Sequence, residues 1–147
     1  MIRKADIDDV PAIANFQIAM ALETEDLKLN PDIVHKGVKS VMNDPSKGFY
    51  LVTEINNEVV ASLMITLEWS DWRAQTVWWI QSLYVKPEYR KQGIYKNMYS
   101  HLRKLVQEDD SLGGIRLYVD KTNTSAQKVY EALGMDGNHY KFYEQMK

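Results

Sequence analysis

The chain has 147 residues, 45% apolar and 26% charged, which fits one domain, residues 1–147, around one core. Its formal charge of −2 argues against a dedicated nucleic-acid binder, and the absence of cysteine excludes disulfides, thiolate metal sites and a cysteine nucleophile. No apolar run approaches the roughly 20 residues that span a membrane, and the opening MIRKADIDDV is no signal peptide, so no membrane partner and a cytoplasmic location are expected.

Residues 2–5 read as a short first strand. Asp8 or Asp9 is a plausible N-cap for a helix with Pro11 in its first turn and Ile13, Phe16 and Met20 at helical spacing. A second helix follows Asn30-Pro31 and carries Ile33, Val34, Val38, Val41 and Met42. The cluster Asp44-Pro45-Ser46-Lys47-Gly48 is a turn. Residues 49–55 and 58–69, joined by Asn56-Asn57, read as a hairpin, with Val59, Ala61, Leu63, Ile65 and Leu67 on one face.

After a second turn at residues 70–75, residues 76–85 form another strand, rich in β-branched and aromatic side chains. A helix then runs to about Gln107 with Ile94, Met98, Leu102 and Leu105 as its buried stripe. Gly113-Gly114 breaks the chain before a strand at 115–119. Thr124 and Gln127 have capping-box spacing, and the helix they open carries Ala126, Val129, Tyr130 and Leu133 on one side, with Gly134 as C-cap. A last strand is expected at about 139–145. The fold class is α/β (mixed α+β): a mixed, mostly antiparallel sheet of six to seven strands with about four helices on its faces.

The chemistry concentrates in Leu83-Tyr84-Val85-Lys86-Pro87-Glu88-Tyr89-Arg90-Lys91-Gln92-Gly93-Ile94-Tyr95. A strand ends at a proline and a helix begins at a basic, glycine-bearing loop. Such a loop points backbone N–H groups outward at a helix N-terminus, where the dipole favours an anion. Lys86, Arg90, Lys91 and Lys96 crowd the same stretch, so a phosphorylated ligand is the first expectation. The motif is neither a Walker A loop nor a GxGxxG fingerprint, and alone it also reads as a plain β-turn-α connection. Further on, Asn123 ends a strand, and Tyr130 lies two helical turns later, so both can face one crevice.

The combination Arg90-x-x-Gly93 with Asn123-x-x-Ala126-x-x-x-Tyr130-x-x-x-Gly134-Met135 resembles the GNAT N-acetyltransferase family, over essentially the whole chain in element order and most sharply from Trp79 to Met135. The resemblance implies acetyl-CoA as co-substrate and no metal. The family's Gln/Arg-x-x-Gly-x-Gly/Ala loop stands here as Arg90-Lys91-Gln92-Gly93-Ile94-Tyr95, implying diphosphate binding by the amides around Lys91, Gly93, Tyr95 and Lys96. It also implies pantetheine pairing along the main chain of Leu83, Tyr84 and Val85, pantetheine binding by Asn123, and protonation of the leaving thiolate by Tyr130. CoA is then expected between the strand ending at Val85 and the strand ending near Val119. Two departures stand out. Tyr95 replaces the second loop glycine, and Gln81 stands on the strand where many members carry a glutamate base. Gln81 can position a substrate or a water but cannot take the proton.

Glu68, Asp71 and all four tryptophans lie between residues 68 and 79. They read either as an acceptor wall that attracts a cationic amine or as a hairpin whose rings pack across strands. Glu23, Glu25 and Asp26 form an acidic helix end that the resemblance sets beside the acceptor site. His35, His101 and His139 have no metal-ligand spacing. The expected activity is direct acetyl transfer to a primary amine. Its rivals are another acyl donor or acceptor and a non-catalytic acyl-CoA-binding module. The aromatic hairpin is also a surface on which a homodimer can pack.

Overall fold

In the computed structural model, which describes residues 1–147, the chain divides into two compact units, Met1–Arg116 and Leu117–Lys147. The first holds strands β1 (Ile2–Lys4), β2 (Phe49–Ile55), β3 (Glu58–Ser70), β4 (Gln75–Val85) and β5 (Leu112–Arg116). They form one five-stranded sheet in sequential order, antiparallel from β1 to β4, with β5 parallel to β4. Helices α1 (Val10–Glu25), α2 (Pro31–Asn43) and α3 (Ile94–Glu108) belong to the same unit, and α4 (Thr124–Ala132) to the second. No helix is long and apolar enough to cross a membrane.

The mixed, mostly antiparallel architecture agrees with the sequence reading, but five strands stand where six to seven were expected. Residues 139–145 have no regular structure; in that unit the rings of Tyr118 and Phe142 stack at 4.7 Å in place of a backbone ladder. The fifth strand also runs through Gly113 and Gly114 rather than starting after them, because a register shift in its ladder with β4 accommodates the pair.

Local chemistry explains the element ends. Asp9 occupies the N-cap position of α1 but does not cap it. Its carboxylate instead takes both Nη atoms of Arg3, at 2.7 and 2.9 Å, and the amide of Asp6. Asn30 caps α2 through Oδ1, which accepts from the amides of Asp32 and Ile33. Asn56 and Asn57 both take positive φ, at 51° and 62°, the geometry of a two-residue hairpin turn. Gly48 has φ +125°, and a Cβ there would lie 1.9 Å from the Ile65 carbonyl oxygen, so no other residue fits.

One face of the sheet presents Tyr50 and Val52 to Val10, Ile13 and Ala14 of α1 and to Val38 and Val41 of α2. Leu51, Leu63 and Ile65 alternate to the other face and are buried, as are Ile94, Met98, Tyr99 and Leu102 of α3. Three expected apolar positions of this unit differ. Ile33 and Leu67 are exposed. Val59 packs with the α1–α2 cluster rather than beside Ala61 and Leu63, because an irregularity opposite Thr53 and Glu54 inserts Val60 and breaks the alternation.

Candidate functional site

Strand β4 fixes the site in the first unit. Its ladder with β5 runs only from Thr76↔Leu112 to Trp79↔Arg116, so residues 80–85 have no β5 residue opposite them. On the β3 side, Ser62 faces Tyr84 while Met64 faces Gln81, so β4 carries one extra residue there. Ser82 absorbs it with φ 51°. This bulge re-aims the stretch from Leu83 to Val85. The sequence gives no warning of it, since serine there reads as an ordinary strand residue. Gln81 sits just before it and donates from Nε2 to Thr66 Oγ1 at 3.4 Å.

Beyond β4 the chain makes a short 3-10 turn, Pro87–Tyr89, and reaches the basic loop. Lys91 and Gly93 both take left-handed backbone, at φ 62° and 78°. Gly93 is the N-cap of α3 and offers no side chain to its amides, and the first helical hydrogen bond runs from Asn97 N to Gly93 O. The amides of the first turn therefore have no intrahelical partner. A Cβ built at Gly93 meets nothing within 4 Å, so the space over the loop is open. Ile94 turns its side chain into the core, leaving its amide to the site. Gln92 ties the loop back through Nε2 to Glu88 O at 3.0 Å. The Tyr95 ring packs near Tyr99 at 6.3 Å, along the helix.

The four cations divide into two pairs. Lys86 is bound to Glu58, which also accepts from the Tyr89 hydroxyl at 3.3 Å; the ammonium holds the Glu58 carboxyl below its usual range. Arg90 donates from Nη2 to Glu23 Oε2 at 2.8 Å and from Nε to the Val85 carbonyl at 2.9 Å. Lys91 and Lys96 make no ion pair. A cradle of outward amides with two unpaired ammonium groups can hold a diphosphate.

On the expected acceptor side, Glu68 is paired with Arg116 and Glu23 with Arg90. Asp71 accepts only from its neighbour's amide, Trp72 N, at 3.0 Å. Trp72 is 91% and Trp69 67% exposed at the β3–β4 tip, while the Trp78 ring packs edge-on against Phe49 at 5.2 Å. Two indoles are thus exposed at the tip, while a third is engaged in packing.

In the second unit, Asn123 is the N-cap of α4, its Oδ1 accepting from Ala126 N at 3.1 Å. Gln127 does not complete a capping box with Thr124; its Nε2 donates to the carbonyls of Asp120 and Lys121. The Asn123 Nδ2 group has no hydrogen bond. Tyr130 is half-buried, and burial pushes its phenol above the ordinary 10, so it stays protonated. Val129, expected beside it in the buried stripe, is 45% exposed. Gly134, at φ 87°, and Met135 close the helix with amide bonds to Glu131 O and Tyr130 O.

A family model described as the acetyltransferase (GNAT) family matches residues 13–135. A possible acetyltransferase from Clostridium difficile 630 is 41% identical, with TM-score 0.94 over 100% of this chain and 97% of that one. A predicted acetyltransferase with acetyl-CoA from Clostridium acetobutylicum shares the fold at 19% identity, TM-score 0.73, covering 98% and 95%. So does a ribosomal-protein-alanine N-acetyltransferase from Brucella melitensis biovar Abortus 2308, at 14% identity and TM-score 0.80, covering 100% and 99%. No curated protein matches the chain.

Proposed function

The chain belongs to the acetyltransferase (GNAT) family, and from that premise we propose that residues 1–147 act as one domain, transferring acetyl from acetyl-CoA directly to a primary amine. The observation that carries the reading is the loop at the start of α3. Two left-handed residues, Lys91 and Gly93, turn the backbone so that a helix N-terminus opens onto free space, with Lys91 and Lys96 unpaired. Those features fit a diphosphate. The bulged, half-paired end of β4 fits the other part of the molecule, since amide-rich pantetheine can add to a strand edge as a peptide does.

Acetyl-CoA supplies a thioester whose acyl carbon the amine attacks and whose thiolate must then take a proton. The main chain of Leu83, Tyr84 and Val85 aligns the pantetheine arm. The Asn123 Nδ2 group donates to it, while Oδ1 remains on its cap. The Tyr130 phenol, kept neutral by burial, gives its proton to the thiolate. Gln81 orients the amine or a water, and bulk water takes the amine's proton. No residue is asked to form an acyl-enzyme.

The amide at Gln81, in place of a carboxylate, also favours a second reading: a non-catalytic acyl-CoA-binding module. Thiol release from acetyl-CoA across a panel of amines separates the two. Turnover with an amine supports the transferase. Saturable CoA binding without thiol release from any amine supports the module.

A further inference from the structure

One carboxylate of the acidic helix end has a place that its charge alone does not explain. Glu23 lies in the last turns of α1, which carry no basic residue, so it opposes the helix dipole. It is held there by two partners. Oε2 accepts from Arg90 Nη2 at 2.8 Å, and Oε1 accepts from the Tyr84 hydroxyl at 3.1 Å. The Arg90 guanidinium also lies 5.4 Å from the centre of the Tyr84 ring, and that ring stacks on Phe16, two turns earlier in α1, at 5.1 Å. The Arg90 Nε bond to Val85 O closes the set. One side chain thus ties the end of α1, the end of β4 and the first residue of the loop together.

Lys91 follows immediately, a non-glycine residue in left-handed backbone, and such a conformation persists only where its surroundings hold it. We propose that Glu23 is a positioning residue for the CoA loop: it clamps Arg90, which sets the backbone of residues 91–93, and Arg90 itself is not a diphosphate ligand. The diphosphate then meets the loop amides together with Lys91 and Lys96. This inference rests on the acetyltransferase reading.

The test is CoA binding by calorimetry at low and high salt, for wild type, Glu23→Gln, Arg90→Gln, Lys91→Gln and the Glu23→Gln/Arg90→Gln double variant. Glu23 and Arg90 are about half-exposed, so these variants fold, and thermal melts check it. Coulomb's law alone predicts that losing a carboxylate near an anion site tightens binding. Positioning predicts the reverse: Glu23→Gln weakens CoA binding about tenfold. Arg90→Gln weakens it equally, and the double variant no further. The salt dependence of affinity stays at its wild-type level in Arg90→Gln and falls in Lys91→Gln. Tighter or unchanged binding by Glu23→Gln overturns the proposal, as does a salt dependence that falls in Arg90→Gln. Wild-type protein with no saturable CoA binding overturns the acetyltransferase reading itself, and this inference with it.

Discussion

Gly93 gives the sharpest test of the phosphate-loop assignment, because two substitutions there separate backbone strain from the loss of a donor. The residue has φ 78° and ψ 12°, and space is open around its missing Cβ. Alanine keeps the N–H and meets no neighbour, so its cost is the left-handed penalty alone, about 1–2 kcal/mol of folding stability. Proline fixes φ near −65°, a swing of about 140° from the native angle, and removes the N–H. The loop must then rebuild, and a hydrogen bond to a charged ligand, about 1.5–3 kcal/mol, is lost. At about 1.4 kcal/mol per tenfold, that alone weakens CoA binding by roughly 10- to 100-fold. Calorimetric titration with CoA, alongside thermal melts, reads both quantities. Gly93→Ala is expected to melt earlier and bind CoA within a few-fold of wild type; Gly93→Pro is expected to lose affinity by one to two orders of magnitude or more. A folded Gly93→Pro protein with wild-type affinity would refute the assignment.

Four further outcomes are expected. Tyr130→Phe should lower kcat by ~10²-fold while leaving CoA affinity within a few-fold; because burial raises this phenol, its ionisation should depress wild-type kcat only at higher pH than for an ordinary tyrosine, and near wild-type kcat in the variant removes Tyr130 from the mechanism. Arg3→Gln should cost about 1.5–3 kcal/mol in denaturant unfolding, since the Asp9 carboxylate loses its charged partner and keeps only the Asp6 amide. The Arg3 bond holds the Asp9 carboxyl below its usual 3.8, so this stability is full above that value and is lost as pH falls through the folded pKa; Asp9→Asn should flatten the acid limb of a melting-temperature profile. Asp71→Asn should raise KM for a cationic acceptor about 2- to 5-fold, less at high salt, and a best acceptor that is anionic and indifferent to the change would remove the charge argument.

The loop, the helix starts and the hairpin at Asn56-Asn57 were legible because each is written in a few adjacent residues with special backbone or capping demands. Gly134 is such a case: glycine after a helical stripe names its own left-handed angle. The bulges at Val60 and Ser82 were not legible, since each depends on how two strands meet and neither residue marks it. The ion pairs were hidden for a related reason. Glu23 is 67 residues from Arg90 and Glu68 is 48 from Arg116, and no periodicity connects positions so far apart. Asn123 was read for pantetheine binding, but its place at the start of α4 also made it the natural cap, in preference to Thr124.

These pairings change the electrostatic argument for the substrate. Attraction of a cationic or polar amine was read on Glu68, Asp71 and the acidic segment of Glu23, Glu25 and Asp26. Arginines now balance Glu23 and Glu68, and a paired carboxylate projects far less field than a lone one. Glu25 and Asp26 remain, as does Asp71 on a tip whose indoles at 69 and 72 are largely exposed. On the loop, pairing acts in the opposite sense. It takes Lys86 and Arg90 out of the cation cluster and leaves positive charge at Lys91 and Lys96, on either side of Gly93 and at the positive end of α3. In the proposed transferase, recognition of the donor then rests on charge and backbone together. For the proposed transferase, the exposed indoles beside Asp71 predict a preference for amines carrying an apolar group over small, purely cationic ones. An acceptor screen graded in hydrophobicity at constant charge tests that ranking directly. A flat response across the series would return the choice to charge alone.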